Sequence, residues 1–333
     1  MYLCLSCMNE IPEQGRDVCP LCGFSASSYH VPMHWLEAGS LLNQRYYIGK
    51  ALRTDDYGIS YNAYDVVMQR RVVIRQLMVR SRMPSDITML RRDEPFFTLQ
   101  HAESFYQTYR EEADVEISSL PRIYTYGRCG NVLYAVEEFI PGATLAQYVK
   151  DSGAKSFDGT KKLLLPVIIA LKLLQSRGVH HGNLTPDRII KTDKSCVLVD
   201  LTGVDTTADD KNRDQAALTP EQKDVRHFLR IFLSVLYGSE TMVDAAIINE
   251  EFFDRTEPYL PEDAKQYIYQ AFHPEEQQTD ISIQGVLNVI FKCGENAVGK
   301  KNQPIQAIPP KFLTDAAEAS GMAVDKIITS VTG

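Results

Sequence analysis

A chain of 333 residues is long enough for two ordinary domains, or for one large domain with appendages. Its 44% hydrophobic and 23% charged residues suit a globular protein with a sizeable core, and a net charge of -8 argues against a dedicated nucleic-acid binder, which needs a basic footprint. No run of about 18 apolar residues predicts a membrane span, and an N-terminus that opens on Cys4 and Cys7 predicts no secretory signal, so a cytoplasmic location is expected.

The first segment, CLSCMNEIPEQGRDVCPLCGF, holds two C-x-x-C pairs separated by eleven residues. Two such knuckles bring four thiolates to one ion, and zinc accepts four soft ligands in a tetrahedron. Cys4, Cys7, Cys19 and Cys22 are therefore the expected ligands of a structural zinc. Four thiolates leave no open position for catalysis. Pro20 and Gly23 shape the second knuckle, and residues 1–28 read as a zinc ribbon too small to fold without its ion. Two disulfides would need an oxidising compartment, and a redox C-x-x-C would need a βαβ setting; neither is signalled. Cys129, Cys196 and Cys293 read as packed or free thiols. Residues 29–44 read as a linker, with His30 and His34 as linker histidines rather than ligands.

Three strand-like runs follow, RYYIGKAL, ISYNAYDV and RRVVIRQLM, each rich in β-branched and aromatic residues. A charged helical stretch is expected over Thr98 to Ile117. RIYTYGR and VLYAVEEFI predict two more strands around a turn at Cys129-Gly130-Asn131. Beyond Gly142 the pattern turns helical: KKLLLPVIIALKLLQSRG despite its Pro166, VRHFLRIFLSVLYG starting near Asp224, AKQYIYQAF and IQGVLNVIF. Strands with one helix, then a helical half, predict an α+β fold in two lobes. Residues 294–333 read as a linker and a helical tail.

This layout resembles the bacterial serine/threonine protein kinases over residues 45–293, with an N-lobe at 45–141 and a C-lobe at 142–293. NQRYYI, YGISYNAYD and RRVVIRQLM match its first strands. EEFIPGATL matches the hinge, with Glu137, Glu138 and Ile140. GVHHGNLTPDRII resembles the catalytic loop, and VLVDLTG the metal-binding D-F-G segment.

At the positions the resemblance assigns to chemistry, the residues depart from it. The phosphate loop G-x-G-x-x-G becomes Arg53-Thr54-Asp55-Asp56-Tyr57-Gly58, so only Gly58 remains. A carboxylate about 4 Å from a phosphate would cost about 1–4 kcal/mol. The strand lysine is Arg75, longer and planar; its helix partner is expected at Glu111, beside Glu112. Asn183 replaces the aspartate base, and an amide is no base at neutral pH. Arg188 replaces the second magnesium ligand and would repel the ion. Asp200 survives, followed by Thr202 where glycine is usual, and a salt bridge to Arg75 or Arg188 is expected for it over a metal. Glu137 falls beside the adenine pocket. The segment from Asp200 to Asp224 is short, and Leu218-Thr219-Pro220-Glu221 resembles a remnant of the A-P-E element, with no arginine in HPEEQQTD to pair Glu221.

These departures predict a pseudokinase that binds protein partners as a scaffold or regulatory module. They argue against ATP and Mg²⁺ binding. Two alternatives stand beside this reading. One is an atypical kinase or nucleotide-binding protein in which Arg75, Asp200 and Asn183 carry the activity; the other is a nucleic-acid-binding zinc ribbon. The arginine-rich stretch 70–92, including Arg70, Arg71, Arg80, Arg82, Arg91 and Arg92, reads as a solvated face or a mobile loop, with a docking surface for an acidic partner as the alternative.

Overall fold

The computed structural model describes residues 2–11, 17–32, 35–55, 58–77, 119–130, 132–176, 178–201, 218–248, 252–253, 260–273 and 280–292. The expected helix at 98–117, Glu111, most of the arginine-rich stretch, the segment after Leu201 and the tail lie outside them. The described residues fall into two compact units: one runs to Leu77 and takes up Pro121–Phe139; the other takes Ser119, Leu120 and the chain from Ile140 onward.

The first unit is built on an antiparallel sheet of six strands: β1 (Leu41–Leu42), β2 (Tyr46–Asp55), β3 (Gly58–Asp65), β4 (Arg70–Leu77), β5 (Ile123–Cys129) and β6 (Val132–Glu138). Their order is β1-β2-β3-β4-β6-β5. Alternation along the strands sets the two faces. Ile59, Tyr61 and Ala63 of β3 share one face with Val72 and Ile74 of β4, and with Ile48 and Val136 they form the core of this unit. Arg75 and Ser60, paired across the same two strands, turn to the other face.

The segment expected as a linker is instead packed on this sheet. Trp35 and Leu36 lie against the core, and Trp35 meets Tyr61 edge-on. Gly39 N donates to Ile48 O at 2.7 Å, and Ile48 N donates to Ser40 O at 2.9 Å. Tyr61 is fully buried, so its hydroxyl needs partners: it donates to Gln76 Oε1 at 2.7 Å and accepts from Leu36 N at 3.0 Å.

The second unit joins a small sheet, β7 (Ala143–Thr144), β8 (Ile189–Lys191) and β9 (Cys196–Leu198), to helices α1 (Leu145–Ser152), α2 (Phe157–Ser176), α3 (Pro220–Tyr237), α4 (Glu262–Phe272) and α5 (Ile283–Val289). α2 keeps Pro166 in its interior, where a long apolar run buried around it offsets the missing hydrogen bond. α3 begins at Pro220, four residues before the start read from the sequence. Thr219 caps it in a reciprocal capping box with Gln222, and Pro220 fits the first turn, whose amides need no helical partner. Phe228, Phe232 and Phe291 cluster where α3 meets the end of α5. No helix among the described residues is long and apolar enough to cross a membrane.

Tyr61→Phe removes one hydroxyl and leaves the Leu36 amide and Gln76 without it. The expected cost is about 1–2 kcal/mol, read as a lower urea midpoint for the first unit; an unchanged midpoint would contradict the assigned bonds.

Candidate functional site

The four N-terminal cysteines converge. Their sulfurs all lie within 4.8 Å of one another, with Cys4 to Cys22 at 3.6 Å and Cys7 to Cys19 at 3.8 Å. These separations are far too long for disulfides. They match the edge of about 3.8 Å that four sulfurs make around an ion at about 2.3 Å. In the first knuckle Ser6 N approaches Cys4 Sγ at 3.4 Å and Met8 N donates to Cys4 O at 2.9 Å; in the second, Gly23 N donates to Cys19 O at 2.9 Å. Burial, with the neighbouring Cys19 and Cys22 side chains, pushes the Cys4 thiol up to about 12 against the pull of the Cys7 and Ser6 amides. A cation in the tetrad would reverse that by taking the thiolate directly. The donor set and spacing therefore fit a closed tetrahedral metal site.

In the first unit, the hairpin between β2 and β3 is zipped to its tip. Arg53 pairs with Ser60, Thr54 with Ile59 and Asp55 with Gly58. Asp56 lies outside the described residues. Arg75 is fully buried, and its guanidinium donates to Ser60 Oγ at 3.2 Å. Its Cζ and Nε would lie 3.2 Å from any Cβ placed on Gly58, and the Gln76 carbonyl would be closer still. A side chain at residue 58 is thus excluded first by the Gln76 carbonyl, with the Arg75 guanidinium close beside it. Glu137 is buried on β6, paired across the sheet with Val73 and Ile123. Glu138 accepts from Arg122 N at 3.2 Å, closing the end of β5 onto β6. Nearby arginines expected at a solvated face are used internally: Arg70 stacks on Tyr124 at 3.5 Å and Arg71 on Phe139 at 3.6 Å.

In the second unit, the loop at 180–188 is fixed by its own polar groups. His181 is fully buried. Its Nε2 faces Val199 O at 3.1 Å and its Nδ1 accepts from Asn183 N at 3.3 Å. Those partners demand a neutral ring with its proton on Nε2. Burial, with Arg188 nearby, lowers its pKa to about 3, against the pull of the Val199 carbonyl and Asp200. Arg188 folds back on the loop and donates to Asn183 O at 3.0 Å and Thr185 Oγ1 at 3.3 Å. Asp200 is fully buried with a positive φ of 58°, a backbone shape that aspartate tolerates better than most residues. Ile140 packs on Ile190, Val197 and Val199.

Asp224 was read from the sequence only as a helix start. Its carboxylate takes Gly182 N at 3.0 Å on one oxygen and His181 N at 2.8 Å on the other, and so anchors the loop from α3. Burial pushes its pKa up to about 7, opposed by those two amides. Glu221, for which no arginine was found, accepts from Ile283 N at 2.9 Å and so ties α3 to the start of α5.

His181 binds a proton more weakly folded than unfolded, so its contribution is complete above its ordinary value of 6.5 and drains as pH falls toward about 3. The stability difference between the wild type and His181→Asn should shrink between pH 7 and pH 5 by about 1.4 kcal/mol per pH unit once below 6.5. A difference that does not change with pH would contradict a buried neutral imidazole.

No family model matches the chain. Among curated proteins it is similar to serine/threonine-protein kinase C of Synechocystis, 32% identical over 165 residues, 48% of this chain and 29% of that one. A probable serine/threonine-protein kinase of Clostridium acetobutylicum is 25% identical over 50% of this chain and 23% of its own length. Serine/threonine-protein kinase PknA of Nostoc is 27% identical over 49% and 28%. The chain spans less than a third of the length of these relatives. A solved structure of Rad53 in complex with AMP-PNP aligns with a TM-score of 0.53 at 14% identity, over 74% of this chain and 65% of that one. By sequence about half of the chain is similar to bacterial serine/threonine protein kinases, and by backbone it carries the protein-kinase fold.

Proposed function

We propose that this chain is a pseudokinase that works by binding protein partners, with its N-terminal tetrad holding a structural zinc. The observation that carries the reading is Arg188. Its guanidinium is tied to the carbonyl of Asn183 and to Thr185 at the position where the kinase pattern holds its second magnesium. A fixed cation there repels a metal, and Asn183 beside it offers no base. Arg75 supports the same reading, because its guanidinium is fully buried, donates to Ser60 Oγ and lies close under Gly58. The partner is proposed to be a protein, since the acidic chain lacks the footprint for nucleic acid. A cytoplasmic location is proposed with it.

Residual nucleotide binding is the second reading. The relatives carry kinase names, and the aspartate of the metal-binding segment persists as Asp200.

Thermal denaturation with ATP and Mg²⁺ or Mn²⁺ separates the two. A nucleotide at ten times its dissociation constant would stabilise by about 1.4 kcal/mol. The pseudokinase reading predicts no shift, and a metal-dependent shift would favour the second. For the tetrad, elemental analysis should return about one zinc per chain, because a single tetrahedral site has four ligands. Cys19→Ser should lose it; zinc retained in that variant would contradict the assignment.

A further inference from the structure

The first knuckle of the ribbon is seated in a notch of the kinase-like sheet. β2 breaks register with β3 between Ile48 and Ala51, which leaves Gly49 and Lys50 as a bulge. Lys50 N, freed from the ladder there, donates to Leu5 O at 2.8 Å. Asn62 Nδ2, from the neighbouring strand, donates to Ser6 O. Gly49 has no side chain for a reason: a Cβ would collide with Met8 Cε and the Leu5 carbonyl oxygen and would meet the Asn62 carbonyl at 2.8 Å. Leu3 and Met8 are almost completely buried, which a ribbon of this size cannot do on its own. Tyr29, after the second knuckle, closes the other side by accepting Ala51 N on its hydroxyl at 2.7 Å. Leu5, Ser6 and Met8 all lie between or beside Cys4 and Cys7, so the shape presented to the notch is the shape the tetrad imposes.

We propose that the N-terminal metal centre is a conformational strut for the β2–β3 hairpin: metal in the tetrad holds the first knuckle in the Gly49 notch, and loss of the metal loosens the hairpin that carries Arg53 to Gly58. This rests on the metal reading above. It goes beyond that reading by coupling the tetrad to the region where a kinase holds its nucleotide, so that metal supply sets the state of the first unit. The ribbon is then part of the kinase-like body, with its first knuckle committed inside the chain.

Hydrogen exchange on the full chain tests the coupling, with metal content measured on the same sample. Removing the metal with a chelator should raise exchange in peptides from residues 46–65 about tenfold, while peptides from α3 stay unchanged. Gly49→Val should keep its metal yet show the raised exchange before any chelator is added, because the knuckle no longer fits its notch. If wild-type protein carries metal and its removal leaves residues 46–65 as protected as before, the strut is wrong and the metal site stands. If the purified protein carries no metal, the metal reading itself fails and the strut falls with it. A Gly49→Val chain that unfolds throughout would show raised exchange in α3 as well, and the wild-type comparison then decides alone.

Discussion

Charged side chains leave water only where neighbouring atoms answer them, and in this protein Arg75, Glu137, His181, Arg188, Asp200 and Asp224 are all buried. In an active kinase several of the corresponding groups are answered by nucleotide phosphates, metal ions and substrate. Here many of the answers are written in the chain. Ser60 accepts a hydrogen bond from Arg75, the loop carbonyl of Asn183 accepts one from Arg188, and Asp224 accepts from the amides of His181 and Gly182. Each such contact gives a buried polar group a partner from within the chain.

That constraint links substitutions that look independent along the sequence. The planar guanidinium at residue 75 lies close under Gly58, where the Gln76 carbonyl already leaves no room for a side chain. Burial, helped by the cation at residue 188, lowers the proton affinity of His181, whose neutral ring bridges Val199 and Asn183. The outer part of the first unit follows the same logic with backbone groups. A bulge in β2 would leave the Lys50 amide unpaired, and the ribbon carbonyl of Leu5 takes it.

Much of this was legible in the sequence. Alternating β-branched residues in RRVVIRQLM place Val72 and Ile74 on one face and Arg75 on the other, as β4 has them. The two C-x-x-C pairs declared the tetrad because metal-ligand spacing is local. Contacts made over long separations were not legible. Asp224 lies more than forty residues from the loop it anchors, and its sequence context suits an ordinary helical turn. The stretch 29–44 looked like a linker because it carries no sustained strand or helix period, yet Tyr29, Trp35 and Leu36 hold it to the sheet. A capping signal for α3 was present in Thr219-Pro220-Glu221-Gln222, and it was outweighed by the apolar run that begins later.

The central claim is that internal arginines and an asparagine have replaced the apparatus of phosphoryl transfer. Its most direct test is transfer of labelled γ-phosphate from ATP, with Mg²⁺ or Mn²⁺, onto the protein itself and onto a general protein substrate. The account predicts no incorporation above the level of an Asp200→Ala variant. Incorporation that the wild type shows and Asp200→Ala abolishes would contradict it.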